Sequence, residues 1–176
     1  MTRIPLVRIE DMTPAQREQY DRFPSNLSRA LLLADQRLAG ALPSLANALR
    51  ASALDPKLRE GVILRVTALS GSAYERMQHL GQAEKAGWTA AEIAAIEAGD
   101  RVRLPADLAA LLAFVDACVA APRVPDDVFG ATSAVLPPRE LVTVILLVGH
   151  YMMVARLLAT LDVELDPAPD NWAAEH

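Results

Sequence analysis

Apolar residues recur at spacings of three and four along almost the whole chain, and this periodicity constrains the fold more than any other feature. The segment after Pro105 is typical: Leu108, Leu111 and Val115 would share one face of a helix. Prolines, glycines and short polar residues interrupt the pattern where helices would start and stop. Only residues 3–9 suggest an extended segment. The sequence therefore predicts an all-α, single-domain bundle of six to eight helices.

The helix signals divide the chain into three parts. Residues 1–24 are expected to form an N-terminal arm with one short helix, and residues 25–166 the helical domain. Residues 167–176 are expected to form a C-terminal tail, extended over the surface or over a neighbouring subunit. Within the domain, the apolar spacing predicts a helix over 25–38, and Pro43 is expected to begin the next one because proline favours the first helical position.

Composition excludes several classes of function. The only cysteine among the 176 residues is Cys118, so neither an internal disulfide nor a dithiol redox cycle within one chain is possible. The net charge is −5 and no basic run is present, which argues against a nucleic-acid partner. The most apolar segment, 141–155, contains His150 and is shorter than the ~20 residues that cross a bilayer. We expect no membrane partner and a reducing, cytoplasmic location.

One cluster of polar residues could carry chemistry. Glu75 and His79 are four residues apart, so they would meet on one face of a helix. Glu60 lies in the preceding helix, and a tight turn at Ser70-Gly71 would fold the two helices together, with Tyr74 near the rim. A carboxylate that orients an imidazole suits general acid–base catalysis near neutral pH.

Simpler interpretations of these residues stay open at this point. A Glu–His pair at this spacing is common on solvated helix faces, and Tyr74 is more often a packing residue than an acid. Glu60 could serve only to complement the start of its helix. A metal site built from Glu60, Glu75 and His79 is conceivable, but the sequence does not favour it, and no metal or other cofactor is expected.

The segment resembles the core of the carboxymuconolactone decarboxylase family, which includes the AhpD-type alkylhydroperoxidases. In that family a Glu near the start of one helix is followed, after a turn, by Cys-x-x-Cys-x-x-x-His on the next. Glu60 and His79 match the family's Glu and His, whereas Ser72 and Glu75 stand at the two cysteine positions. Tyr74-Glu75 before the histidine is similar to the cysteine-less branch of the family.

A second match lies in the last helix. Residues 151–156, Tyr-Met-Met-Val-Ala-Arg, resemble the Tyr-x-Met-x-Ala-Arg of the same branch. Together the similar segments extend from about residue 45 to residue 166, which is most of the chain. The resemblance implies the family's all-helical fold but does not fix a substrate.

The first functional hypothesis is a cofactor-free decarboxylase that acts on a small carboxylated lactone or a related oxo-acid. His79 would be the proton donor or base and Glu60 would orient it. Glu75 and Tyr74 complete the candidate catalytic set, although a second carboxylate repels an anionic substrate unless it is protonated or paired. Ser72 and Arg65 are the candidate substrate-binding residues. Arg65 or Arg76 could compensate the negative charge, and the alternative for either arginine is a plain surface residue.

Two alternatives belong to other classes. A thiol peroxidase, the activity often attached to the family, is disfavoured because neither Ser72 nor Glu75 can form a sulfenic acid. A helical oligomer that binds a small molecule without turning it over is the second. The resemblance implies self-association as a homotrimer or homohexamer, and the surplus of apolar helix faces, for example over 25–38 and 139–161, is consistent with it.

Overall fold

The computed structural model describes residues 2–169, and within them the chain is all-helical. It has two short 3₁₀ segments, Ile9–Asp11 and Arg101–Arg103. The α-helices in chain order are α1 Pro14–Arg22, α2 Asn26–Leu31, α3 Gln36–Arg50, α4 Pro56–Ser70, α5 Ala73–Lys85, α6 Ala90–Ala98, α7 Ala106–Ala120, α8 Asp126–Ser133 and α9 Pro138–Leu161. The all-α, single-domain prediction is confirmed, with nine α-helices in residues 2–169 where six to eight were expected.

Helix α4 is the centre of the bundle. Every residue from Glu60 to Thr67 is buried, because α4 packs against α5, α6, α7 and α9 at once. A helix enclosed on all sides needs a small residue wherever a neighbouring side chain comes close, and Gly61 is such a residue. A Cβ atom at Gly61 would lie 3.0 Å from Cζ2 of Trp88, whose indole N–H donates to the Lys57 carbonyl at 2.7 Å. Glu60, one of the candidate catalytic residues, therefore lies on a helix that is buried in the core.

The turn between α4 and α5 follows the sequence signals. Gly71 ends α4 in the left-handed conformation with φ 62°, which glycine adopts without strain. Ser72 then caps α5, its hydroxyl accepting from the Glu75 backbone N–H at 3.3 Å. Because the connection is so short, α4 and α5 lie side by side as an αα-hairpin.

The boundary between α2 and α3 differs from the prediction. The helix expected over 25–38 ends at Leu31, and α3 begins after Asp35, whose carboxylate accepts from the Arg37 N–H at 2.9 Å. Pro43 does not open a helix but lies inside α3. Proline is unfavourable inside a helix, yet here the earlier Asp35 cap and packing against α9 determine the start.

Helix α9 is the one helix within residues 2–169 that is long and apolar enough to cross a membrane. Half of its most apolar window is buried inside the fold, against α4 and α7 among others, as is usual for a core helix. Its length and composition are therefore weak evidence for a membrane span. Most of the predicted tail, residues 170–176, lies outside the described residues.

Candidate active site

The αα-hairpin of α4 and α5 brings Glu60 and His79 into direct contact. His79 Nδ1 lies 2.8 Å from Glu60 Oε2, and the two residues are only 1% and 5% exposed. The contact expected from the sequence is present. With a carboxylate at this distance, Nδ1 carries the proton and donates it, so the lone pair of the neutral ring is on Nε2.

Glu60 is held as an anion. Burial acts to raise its pKa, but the hydrogen bond and charge of His79, together with Arg59, lower the pKa of Glu60 below its ordinary value. The Arg59 guanidinium lies 3.2 Å from the other carboxylate oxygen, Oε1. Glu60 can therefore stabilise positive charge on His79.

Glu75 is the second carboxyl group of the site, on the opposite side of the imidazole. Its Oε2 lies 3.7 Å from His79 Nε2, longer than a hydrogen bond but within reach of a small side-chain movement. Burial raises the pKa of Glu75, and the nearby His79 offsets only part of that effect. The environment thus favours the neutral acid form of Glu75.

A cleft of about 660 Å³ opens beside these residues. Side chains from α1, α2, α3, α5 and α9 line it, Glu75 among them, whereas Glu60 and His79 lie behind the lining. Glu75 is therefore the member of the Glu60–His79–Glu75 relay that meets the cleft. It occupies the position of the second cysteine in the pattern described above, so at this position a carboxyl group faces the cleft.

Helix α9 contributes two aromatic residues to the cleft that were not among the predicted site residues. Tyr151 lies edge-on to both His79 and His150, with ring centroids 5.0 and 5.1 Å apart. Burial, followed by the nearby carboxyl groups of Glu75 and Glu60, which are ionised at the high pH where tyrosine titrates, raises the pKa of the Tyr151 hydroxyl well above its ordinary value. The sequence signal for both was an aromatic pair, His150-Tyr151, inside an otherwise aliphatic helix.

Tyr74 lines the same cleft but bonds elsewhere. Its hydroxyl donates to Asp166 and accepts from the Leu27 backbone N–H at 3.2 Å. Burial is the main cause that raises the pKa of Tyr74. Gln78 also donates to Asp166, at 3.0 Å. The structure thus brings Tyr74 to the wall of the cleft, where it ties the C-terminal segment to α2, and not to Glu60 or His79.

Neither candidate substrate-binding residue lines the cleft. Ser72 caps α5, as described above. The Arg65 guanidinium lies 2.6 Å from Asp116 and donates to the carbonyls of Ile96 and Glu97 at the end of α6. These contacts explain both side chains as parts of the scaffold, and their role in substrate binding stays a prediction. The arginines that do line the cleft are Arg22 and Arg50.

Cys118, the only thiol in the sequence, lies away from the cleft residues. Cys118 lies on α7 against the hydrophobic core, and burial raises the pKa of its thiol. Such a thiol is a poor nucleophile, because the thiolate is the reactive form. Among residues 2–169, no group of three or more His, Cys, Asp or Glu side chains is arranged to hold a metal ion.

The family model of the carboxymuconolactone decarboxylases matches residues 36–132, which is more than half of the chain, so the chain belongs to this family. Three solved structures share the fold. A protein of unknown function from Agrobacterium tumefaciens, for which an AhpD antioxidant-defence role is suggested, is 22% identical with a TM-score of 0.67, over 72% of this chain and 88% of that one.

The other two structures are of the debrominase Bmp8. A cysteine-to-alanine variant bound to 2,3,4-tribromopyrrole is 15% identical with a TM-score of 0.76, over 96% of this chain and 94% of that chain. The apo form is 16% identical with a TM-score of 0.74, over 93% and 92%. No curated protein sequence matches the chain significantly. At these identities the structural similarities show the fold and not the reaction.

Proposed function

We propose that this protein is a cofactor-free acid–base enzyme that decarboxylates a small carboxylated lactone or a related oxo-acid. The observation that carries the proposal is the buried relay of Glu60, His79 and Glu75, which ends at the cleft. Two carboxyl groups flank one imidazole, and their environments shift their pKa values in opposite directions. Because the pKa values of the two groups move apart, we assign Glu60 as the carboxylate anion and Glu75 as the proton-donating acid.

Decarboxylation in this cleft needs one proton at carbon. The bond between the substrate carbon and its carboxylate breaks, CO₂ leaves, and the electron pair passes into the conjugated carbonyl to form an enolate. Neutral Glu75 gives its proton to the enolate carbon and becomes a carboxylate. Solvent in the cleft, which Glu75 meets directly, then returns a proton to Glu75, while His79 Nε2 lies beside this carboxylate and ionised Glu60 fixes the imidazole from behind. The enzyme is restored without a redox partner.

The neutral form of Glu75 also removes the repulsion that a second carboxylate would exert on an anionic substrate. An anionic substrate would avoid a cleft that contained an ionised Glu75, but not one that contains a carboxylic acid. Arg50 on α3 lines the same cleft and supplies positive charge for the carboxylate of the substrate. Burial is the first cause that lowers the pKa of Arg50, yet arginine remains charged at any physiological pH.

The test is a turnover assay with matched glutamine variants. Unsaturated γ-lactones that carry a carboxylate, and β-oxo acids, are incubated in D₂O, and proton NMR follows deuterium at the carbon that loses CO₂. Glu75→Gln is expected to lower kcat by about 100-fold or more, the usual contribution of a general acid. Glu84→Gln, the same change at an exposed position of α5, is expected to leave kcat unchanged. Equal turnover by Glu75→Gln and wild type would remove Glu75 from the mechanism.

The cleft itself favours a second candidate function, binding of a small molecule without turnover. A thermal-shift screen with lactones, oxo-acids and hydroperoxides distinguishes the two. Compounds that stabilise the protein and are also consumed support the enzyme, whereas compounds that stabilise it and are recovered unchanged support the binding protein.

A further inference from the structure

Tyr151 on α9 has a hydroxyl group at the cleft to which the proposed mechanism gives no role. The residue is 8% exposed and lines the cleft. Within residues 2–169 no group is hydrogen-bonded to this hydroxyl, and the fully enclosed side-chain atoms that lack a partner belong to other residues. The Tyr151 hydroxyl therefore keeps accessible surface, and that surface opens into the cleft.

Tyr74 and Tyr151 both line the cleft, but their hydroxyl groups are used differently. The Tyr74 hydroxyl donates to Asp166 and accepts from the Leu27 backbone N–H, so its hydrogen bonds lie within the fold. Tyr151 is held instead by its ring, which is edge-on to His79 and to His150. These contacts orient the ring and leave its O–H available. Because a tyrosine hydroxyl in a largely buried place usually has a partner, an occupant of the cleft is the natural acceptor.

The charges around the Tyr151 hydroxyl are those of the proposed mechanism. Arg50 and Glu75 both line the cleft, and both interact electrostatically with this hydroxyl. Its raised pKa, caused first by burial, keeps the group a neutral O–H donor at any physiological pH. The cation for the substrate carboxylate, the acid for the substrate carbon and this donor therefore belong to one part of the cleft.

We propose that Tyr151 is a catalytic residue, and that its hydroxyl donates a hydrogen bond to the carbonyl oxygen of the substrate, which becomes the enolate oxygen when CO₂ leaves. The inference rests on the proposed function. As the bond to the carboxylate breaks, its electron pair passes into the carbonyl and negative charge develops on that oxygen. The proton of Tyr151 stays on the phenol oxygen, and its hydrogen bond strengthens as the charge develops. Glu75 then protonates the carbon. The cleft is accordingly expected to favour the enolate of a small lactone or oxo-acid over its neutral relative.

The experiment uses tetronic acid, a five-membered lactone that is an enolate anion at neutral pH, with its methyl ether as the matched control that cannot ionise. Calorimetry measures both affinities with the full-length protein. Tyr151→Phe removes one oxygen and keeps the ring contacts with His79 and His150. It is expected to bind tetronate about tenfold or more weakly, the loss expected from one hydrogen bond to an anion, with a smaller loss for the methyl ether. Tyr20→Phe, the same change at a tyrosine of the cleft on α1, is expected to leave both affinities unchanged.

Turnover is measured separately with the same variants, so that this proposal and the proposed function can fail independently. Tyr151→Phe is expected to lower kcat more than it raises KM, because the charge on the oxygen appears only in the transition state. Tetronate binding that depends on Tyr151, in a protein that decarboxylates nothing, would contradict the proposed function and keep Tyr151 as the residue that binds the enolate. Turnover with an unchanged kcat in Tyr151→Phe would contradict the role of Tyr151 and keep the proposed function.

A measurement on the wild-type protein decides if Tyr151→Phe does not fold. Tyrosine labelled with ¹³C at Cζ gives three NMR signals, one for each tyrosine of the chain, which are assigned through Tyr20→Phe and Tyr74→Phe. Tetronate is expected to shift the Tyr151 signal, and the methyl ether to shift it less. An unshifted Tyr151 signal, equal tetronate affinity in wild type and folded Tyr151→Phe, or no binding of tetronate at millimolar concentration would each overturn the proposal.

Discussion

At the residue scale, the property that matters most is that Glu60 and Glu75 are both buried and yet favour opposite charge states. They are separated only by the ring of His79. Glu60 gains a hydrogen bond and a nearby cation, whereas Glu75 gains no comparable ion pair to offset its loss of water. The same residue type therefore serves as an anion in one place and as an acid in the other because of its neighbours.

The raised pKa of Glu75 predicts a specific pH dependence of stability. The folded state binds the Glu75 proton more tightly than the unfolded state does. The stability gained from this proton is therefore complete below the ordinary pKa of 4.5, and it is lost as pH rises through the raised pKa of the folded state. Glutamine cannot ionise, so the advantage of Glu75→Gln over wild type should grow with pH across that window. Urea unfolding at a series of pH values measures the difference, and a constant difference would contradict the raised pKa.

Cys118 leads to a prediction about peroxidase activity. A dithiol mechanism needs two thiols in exchange, and the sequence has one, on α7 and partly buried. Hydroperoxide consumption with a dithiol reductant is expected to stay at background. Rapid consumption that disappears in Cys118→Ser would show that this chemical reasoning is wrong.

At the scale of elements, the C-terminal segment after α9 holds the wall of the cleft in place. Asp166 accepts from the Tyr74 hydroxyl, from Gln78 and from the Asn26 backbone N–H at the start of α2, the last at 2.7 Å. Asn26 in turn donates to the carbonyls of Glu164 and Leu165. One carboxylate therefore joins α2, α5 and the end of the chain.

Removal of this carboxylate is expected to destabilise the fold. Asp166→Ala loses three hydrogen bonds to a charged acceptor and should lower the free energy of unfolding by about 2 kcal/mol, whereas Tyr74→Phe should lower it by about 1 kcal/mol. Chemical denaturation measures both, with the exposed Glu84→Ala as a control. If Asp166→Ala is as stable as the control, the segment does not hold the wall.

The sequence predicted those features of the fold and the site that are determined by residues close together in the chain. The α4–α5 turn and the Glu60–His79 contact were predictable, because Gly71, Ser72 and the helical spacing act within a few residues. The start of α3 was not, because Pro43 is a strong local signal that the Asp35 cap and packing against α9 together override. The Asp166 contacts, and the place of Arg65 beside Asp116, join residues far apart in the chain, and no local pattern indicates them.

At the scale of the whole molecule, one apolar surface remains uncovered. Val142, Ile145, Leu146 and Met153 on α9 are each about half exposed, and their spacing places them on one face. We propose that a second copy of the chain covers this face, in keeping with the expected trimer or hexamer. A continuous exposed apolar face is more typical of an interface than of a free surface.

Sedimentation measures this association. The wild-type protein is expected to sediment well above its 19.0 kDa chain mass at micromolar concentration, and Leu146→Glu to shift it toward the monomer, because a charge would be buried in the interface. Val102→Glu, at a position 95% exposed on a 3₁₀ segment, is the matched control and should not change the mass. A wild-type monomer would contradict the proposal.

Glu75 presents a carboxyl group to the cleft at a position where the family pattern has a cysteine. Where a thiol occupies the corresponding family position, the state of the site follows the oxidants and reductants around it. A carboxyl group cannot be oxidised by peroxide or captured by a thiol reagent under mild conditions, so the state of this position follows the proton concentration. A chain with glutamate here is therefore expected to respond to the acidity of its surroundings where a chain with a thiol would respond to their redox poise.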